Sequence, residues 1–246
     1  SQDRIVIRNA AITWHDDLRQ APPLVLTQLN FDLRNRGLHH RFGLTAQPPK
    51  ALAARLDLRG DFVGRDIKAL AAWTGEGYAE LDYADLAGWR AWVDYPVDLP
   101  RGTGGVRVWL SLAKQALTGL AADVRLNDVS VRLAPELAML TLASLDGHLG
   151  LRLDHGFGFQ ARRLSLTLGD GTRVAPADVD FNWQKATDNR PAHGEAGADN
   201  LDLGVVATLV DRLPLDAALR EQMAAFSPRG RISGLRLSWS GEADKP

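Results

Sequence analysis

The clearest regularity in the chain is an alternation of apolar and polar side chains with a period of two. Leu29, Phe31 and Leu33 alternate with polar residues, so one side of the predicted strand is apolar and the other is polar. The same alternation recurs at 56–59, 106–110, 149–153 and 232–237. Asp170-Gly171 is typical of a hairpin turn, and most connections are short. The pattern predicts a mostly β, antiparallel fold of roughly ten to twelve strands of ordinary length.

In three places the alternation slips by one residue within an otherwise continuous apolar run. The slips fall at Asn9-Ala10, Asn127-Asp128 and Arg162-Arg163. Two explanations are open: a β-bulge, which keeps one strand continuous and increases its twist, or two separate strands joined by a tight turn. We favour bulges, and therefore predict long, strongly curved strands.

Helices are predicted only where apolar residues repeat every three or four positions. Asp85 can cap a short helix over residues 86–93, which Pro96 prevents from continuing. A second helix is expected over 203–213 and a third over 214–226, where Pro214 suits the first position.

The remaining organisation is simple. Residues 185–198 are rich in Asn, Gly, Ala and charge, and we predict a loop there. We interpret the chain, 1–246, as a single β-rich segment with a small helical element at 199–228. Because it starts within a predicted strand, shows no signal peptide and has its last clear strand near Trp239, we interpret it as a piece of a larger protein.

Composition excludes several classes of function. The formal net charge of the 246 residues is −1, and no basic patch is visible, which argues against nucleic-acid binding. The chain has no cysteine, so a thiolate nucleophile, a disulfide and a cysteine-ligated zinc site are impossible. No run of 18 apolar residues could span a membrane as a helix.

The motifs of catalysis are also missing. The six histidines lack metalloprotease spacing, and the adjacent His39 and His40 would point to opposite faces of a strand. Arg101-Gly102-Thr103-Gly104-Gly105 lacks the Lys-Ser/Thr pair and the helix of a phosphate loop, and we predict a flexible turn there. There is no Gly-x-Ser-x-Gly elbow. Paired carboxylates distant in sequence stay open as an alternative, but we predict that the chain is not an enzyme and has no cofactor or metal.

Seven tryptophans stand out in this otherwise plain composition. Trp14, Trp109, Trp183 and Trp239 lie within or at the ends of predicted strands. Indoles suit a boundary between an apolar and a wet region, but for any single tryptophan ordinary core and rim packing is the favoured explanation.

The order of several short motifs resembles a known family. Ile12-Thr13-Trp14-His15-Asp16-Asp17 precedes Ala21-Pro22-Pro23-Leu24, then His40-Arg41-Phe42 and Gln47-Pro48-Pro49. Trp73-Thr74-Gly75, Tyr78, Trp89, Trp92, Gly102-Thr103-Gly104-Gly105, Trp109 and Phe226-Ser227-Pro228-Arg229-Gly230 follow. This succession resembles the central region of the YhdP family, the large AsmA-like proteins of Gram-negative cell envelopes.

The resemblance implies a fold, a location and a function. Family members are anchored in the inner membrane by an N-terminal helix, absent here, and extend through the periplasm. The implied fold is a long curved antiparallel sheet forming an open trough or partial barrel. Its apolar lining would shelter phospholipid acyl chains on their way between inner and outer membrane. Phospholipid and the rest of the full-length chain are the implied partners, and other envelope proteins are possible ones.

The residues expected to line such a groove are the apolar members of alternating strands. They are Leu29, Phe31, Leu33, Val124, Leu126, Val129, Val131, Leu164 and Leu166. Because neighbouring side chains in a strand leave opposite faces, Val131 is expected in the groove and Ser130 on the polar face.

A second function stays open: a structural or adaptor β scaffold that binds envelope proteins. An apolar interior filled by the chain's own side chains would favour the scaffold, and an open groove would favour lipid. The terminal strands around Ile5 and Leu235 are expected to expose unpaired backbone groups and to allow edge-to-edge self-association.

Overall fold

The chain folds into one sheet of antiparallel strands. The computed structural model describes residues 3–65, 72–113, 116–154, 156–187, 190–215, 217–226 and 228–241. The sheet has twelve strands in the order of the sequence, so each strand pairs with the strands before and after it. The strands are β1 (Arg4–Trp14), β2 (Leu24–Arg36), β3 (His39–Gln47), β4 (Leu56–Val63), β5 (Thr74–Asp85), β6 (Asp98–Ala113), β7 (Ala116–Arg132), β8 (Leu140–Arg152), β9 (Gly156–Leu168), β10 (Arg173–Gln184), β11 (His193–Asp202) and β12 (Arg231–Ser240). Since β1 and β12 are its edges, the sheet is open, and the predicted mostly β, antiparallel fold is confirmed.

The helical residues lie within the ranges that the apolar periodicity predicts, but residues 90–93 and 213–215 of those ranges are not helical. Helix α1 covers Leu86–Trp89, and the Asp85 side chain caps it by accepting a hydrogen bond from the Gly88 amide at 3.1 Å. Helix α2 (Leu203–Leu209) continues into a 3₁₀ turn over Val210–Arg212.

Helix α3 covers Ala217–Phe226, and residue 216, which falls within the predicted third helix, lies outside the described residues. Among the described residues, none of the helices has the length and hydrophobicity of a transmembrane helix.

All three predicted slips lie inside continuous strands. Asn9 in β1, Asp128 in β7 and Arg163 in β9 have φ values of 49°, 52° and 49°, and Gln28 in β2 also has 49°. The strand register shifts beside Asn9 and beside Arg163. The bulge interpretation is therefore confirmed, and the alternative of separate strands joined by turns is wrong.

Each bulge returns the apolar side chains to the face they would otherwise leave. In β2, Leu26 and Leu29 are three residues apart, yet both are buried, because the extra residue Gln28 resets the alternation.

Contacts divide the chain into two compact units. The first consists of Ser1–Asp94 and Thr103–Val124, and the second of Tyr95–Gly102 and Arg125–Pro246.

The first unit has a closed core around α1. Leu24, Leu29 and Ala84 are at most 2% exposed. Two indoles tie the α1 segment to neighbouring loops: Trp89 Nε1 donates to the Leu52 carbonyl and Trp92 Nε1 to the Pro22 carbonyl, both at 3.1 Å. The amphipathic indole suits this position, because its rings pack while its N–H satisfies a loop carbonyl.

The second unit has a closed core beside its helical element. Leu209 and Val210 are buried there, as are Leu142 and Ala161 of the sheet. The Ala138 amide donates to the Asp211 carbonyl at 3.0 Å, and Arg212 Nε donates to the Met139 carbonyl at 3.2 Å. These bonds join the helical element to the segment that leads into β8.

Two segments predicted as connections are strands. Residues 193–198 belong to β11, although the composition of 185–198 predicted a loop. Gly194 lies beneath the Trp239 ring, so a large neighbour supplies the packing that β11 lacks. Residues 101–105, predicted as a flexible turn, lie inside β6, where the register with β5 shifts.

The positive φ at Arg163 allows a direct test of the bulge in β9. We expect Arg163→Gly to leave the free energy of unfolding unchanged or to raise it by up to about 1 kcal/mol, because glycine adopts this conformation without strain. Arg163→Val should lower it by about 1–2 kcal/mol, because a β-branched residue is strained at positive φ.

Urea unfolding followed by circular dichroism measures both changes. Ser165→Val, two residues further along the same strand, is the matched control and should be neutral or stabilising, since Ser165 lies beyond the bulge. Equal effects of valine at 163 and 165 would contradict a bulge at Arg163.

Candidate functional site

The strand register of the first unit gathers large apolar side chains on one face. Phe31 of β2 lies opposite Leu44 of β3, which lies opposite Leu58 of β4. In the next row, Leu33 lies opposite Phe42. These side chains are half-buried rather than buried, unlike the closed core around α1. We call the following residues the open apolar face: Phe31, Leu33, Phe42, Leu44, Leu58, Phe62, Ala79, Val108 and Leu110.

Aromatic rings form a continuous band along this face. The ring centroids of Phe31 and Phe42 are 6.3 Å apart, those of Phe42 and Phe62 6.2 Å, and those of Phe62 and Trp73 6.3 Å. The rings of Phe42 and Phe62 cover Gly60, where a Cβ atom would overlap both. The glycine therefore lets rings from β3 and β4 lie flat on the sheet.

The band ends in a polar contact. His40 stacks on Trp73 with centroids 4.3 Å apart. Its Nδ1 lies 2.8 Å from Asn35 Oδ1, and its Nε2 lies 3.1 Å from the Gly64 carbonyl oxygen. His39 and His40 are adjacent in β3, so His40 shares the face of Phe42 while His39 points to the other side.

The second unit has a smaller aromatic group of the same kind. Phe181 lies 5.9 Å from Phe157 and 5.7 Å from Trp239, centroid to centroid. Trp183 shares this face, since it lies opposite Phe157, and its Nε1 donates to the Gly241 carbonyl at 3.2 Å. Phe157 is 39% exposed, so this group also borders solvent.

The opposite face of the first unit carries paired charges. Arg4 Nη2 lies 2.6 Å from Asp32 Oδ2, and Arg59 Nη2 lies 2.8 Å from Asp57 Oδ2. Arg107 Nε lies 2.6 Å from Glu80 Oε1, and the Arg41 guanidinium forms an ion pair with Asp61. Exposed pairs of this kind add little stability, but they keep one face of a single-layer sheet solvated.

These contacts shift several pKa values. The hydrogen bond from Arg4, supported by one from Arg34, lowers the pKa of Asp32, although desolvation opposes it. Hydrogen bonds from Tyr78 and then Arg107 lower the pKa of Glu80. Both carboxylates are therefore ionised at neutral pH.

The predicted groove residues fall into two groups. Phe31, Leu33, Val124, Val131, Leu164 and Leu166 are half-buried. Leu29, Leu126 and Val129 are 2%, 6% and 2% exposed, so they belong to closed cores. The register brings Phe31 and Leu33 into the open apolar face, and it places Leu166 between Leu145 and Val174 in the second unit.

The alternation predicts that Ser130 lies on a solvated face, and this prediction is wrong. It is 3% exposed, and its Oγ has no hydrogen-bond partner within the described residues. Alternation assigns a side chain to one side of the sheet, but it does not say how far neighbouring groups cover that side.

Sequence reasoning missed the residues that build the aromatic band. Phe42 and Phe62 lie in strands that contain glycine: Gly60 takes a position on the apolar face of β4, and Gly43 a position on the charged face of β3. The spacing of His40, Phe42 and Leu44 by two residues was the available signal. Only the register shows that Phe42 and Phe62 flank the same glycine.

The apolar face offers contact surface rather than reactive groups. No three metal-ligating side chains converge in the described part of the chain, and His155 lies outside it. What this face can do chemically is exclude water from another apolar surface.

Gly60 provides a test of how the aromatic band is built. We expect Gly60→Ala to lower the free energy of unfolding by about 1–3 kcal/mol, because the new methyl group overlaps the rings of Phe42 and Phe62. Gly43→Ala is the control: it has no heavy atom within 4 Å of the added Cβ and should be neutral or stabilising. Denaturant titration measures both, and equal values for the two variants would contradict the packing described.

Comparison with known proteins agrees with the family resemblance that the motif order carries. The family model described as YhdP protein matches residues 1–245. No curated protein and no solved structure gives a significant match. Since the family model covers almost the entire sequence, the chain belongs to the YhdP family.

Proposed function

We propose that the chain is a non-enzymatic segment of a periplasm-spanning, bridge-like lipid transporter, anchored in the inner membrane by another part of the full-length protein. Its open apolar face would shelter phospholipid acyl chains between the inner and outer membranes. The observation that carries the proposal is the row of half-buried aromatic and aliphatic side chains across β2–β6, facing away from the charged face. Family membership is consistent with lipid transport in the envelope.

The physical demand on such a carrier is a dry surface. Exposing an acyl chain to water costs about 0.8 kcal/mol per CH₂ group, so two chains need a long apolar strip. An antiparallel sheet supplies this strip while its backbone N–H and C=O groups stay paired within the sheet. Flat-lying rings, as at Gly60, widen the strip without raising ridges across it.

In this proposal the two faces of the sheet have different roles. Arg–Asp and Arg–Glu pairs keep the opposite side hydrated, so lipid would contact one side only. The proposal needs no catalytic residue and no cofactor.

A scaffold function is favoured by a different observation. Leu24, Leu29 and Ala84 in the first unit, and Leu142 and Ala161 in the second, are covered by the chain's own segments. These closed cores hold the sheet in shape and offer no room to a ligand. If the chain is a scaffold, the edge strands β1 and β12 would pair with strands of a partner protein or of a second copy of the chain.

Substitutions at two neighbouring residues of β3 distinguish the lipid-carrier function from the scaffold function. Leu44 belongs to the open apolar face, and Gly43 points to the charged face with open space above it. Leu44→Asp places a charge where acyl chains would lie, and burying an unpaired carboxylate costs several kcal/mol. We expect it to reduce bound phospholipid at least tenfold, which corresponds to about 1.4 kcal/mol or more.

The measurement is native mass spectrometry of the chain after incubation with dioleoyl phosphatidylglycerol and phosphatidylethanolamine vesicles. Gly43→Asp should bind lipid as the unaltered chain does, and far-UV circular dichroism verifies folding of both variants. Equal lipid binding by Leu44→Asp and Gly43→Asp would rule out this face as the lipid path. Unfolding caused by Leu44→Asp would support a closed core and the scaffold function.

A further inference from the structure

The charged face of the first unit contains an aromatic platform. Trp109 of β6 is 39% exposed, although its neighbours on this face are mostly charged. It lies directly opposite Tyr78 of β5, with ring centroids 5.4 Å apart. Arg59 of β4 lies opposite Tyr78 on the other side, with its guanidinium 5.3 Å from the Tyr78 ring centroid. An indole exposed to this extent on the wet side of a sheet has apolar surface available to a ligand.

The two rings of this platform line an open cavity. It has a volume of about 800 Å³, and Trp109, Tyr78, Glu76, Asp61, Arg59 and Arg41 are among the residues that line it. Small-molecule sites commonly have volumes of about 300–1,000 Å³. The cavity opens to solvent on the charged side of the sheet. Phe42 and Leu44 are among its lining residues, but the strand register puts their side chains on the opposite side, in the open apolar face, so the proposed lipid path is separate.

Glu76 is placed unfavourably for the sheet alone. It lies directly opposite Asp61, and like charges in that position destabilise strand pairing. Arg41 compensates Asp61, but no described residue forms an ion pair or hydrogen bond with Glu76. A free carboxylate next to an exposed aromatic pair is an acceptor available to a ligand.

The charges around the cavity nearly cancel. Five arginines and four carboxylates line it: Arg8, Arg34, Arg41, Arg55 and Arg59, with Asp32, Asp57, Asp61 and Glu76. Most of these arginines already bind a carboxylate of the protein, so the cavity has little positive charge to offer a phosphate. Its lining combines apolar surface with charged groups, which suits a ligand with both an apolar ring face and hydroxyl groups better than an acyl chain, which has no polar group to pair with them.

We propose that this cavity binds a saccharide chain of two to four rings. A sugar ring has an apolar C–H face that stacks on an indole, and its hydroxyl groups both donate and accept hydrogen bonds. Trp109 and Tyr78 supply the stacking surface, Glu76 accepts, and the guanidinium groups of Arg41 and Arg59 donate. A neutral ligand of this kind matches a cavity in which acidic and basic groups are balanced.

Calorimetric titration with chitotetraose and maltotetraose tests the proposal. The 246-residue chain should bind at least one of the two, and saturation-transfer NMR should show the contact on the ring protons of the sugar. Trp109→Val should weaken binding at least tenfold, and Glu76→Gln at least threefold. Trp14→Val is the matched control, since Trp14 is 48% exposed but belongs to β1, outside the cavity, and its loss should leave binding unchanged.

Several results would overturn the proposal. One is that neither oligosaccharide binds; another is that Trp109→Val and Trp14→Val bind sugar equally. If Trp109→Val does not fold, Glu76→Gln decides alone, and unchanged sugar binding by this variant counts against the site. Binding only to phosphatidylglycerol vesicles, lost in Trp109→Val, would assign the cavity to a lipid headgroup instead. Because Leu44 lies on the other face, failure here leaves the lipid-path proposal standing, and the reverse also holds.

Discussion

The alternation of side chains along extended backbone is the constraint on which the rest of this structure depends. A single layer of strands satisfies its backbone hydrogen bonds within the sheet, so its two faces are free to differ in polarity. In the first unit, one face carries Phe31, Phe42 and Leu58, and the other carries Asp32, Arg41 and Asp57. Any function of either face follows from this division, because a shift of one residue would exchange the two.

The bulges preserve the division over long strands. Asn9, Gln28, Asp128 and Arg163 take up positive φ so that apolar residues on both sides of them keep to one face. Each costs some backbone strain, and none is a glycine. Burial of leucines such as Leu26 and Leu29 on a common face offsets that strain.

The sequence allowed the strands, the bulges and the short helices to be predicted, because each depends on local periodicity or a local cap. The aromatic band and the platform at Trp109 could not be predicted, because both depend on which residues of neighbouring strands lie opposite one another. Tyr78 and Trp109 are 31 positions apart in the numbering, and only the register of β5 and β6 joins them. Ser130 and residues 193–198 were assigned wrongly for a related reason: the packing of neighbours, such as Trp239 over Gly194, decides burial and strand formation there.

The order of the strands also has a consequence for how the chain folds. Every strand pairs with the one that precedes it in sequence, so most pairings close only a short loop and have little entropy to overcome; the pairing of β11 with β12, which spans the helical element, is the exception. The sheet can therefore grow by successive hairpins while the chain emerges from one end, with no need to wait for a distant segment. A protein built this way can be lengthened by duplicating hairpins, because each addition needs only the edge left by the last.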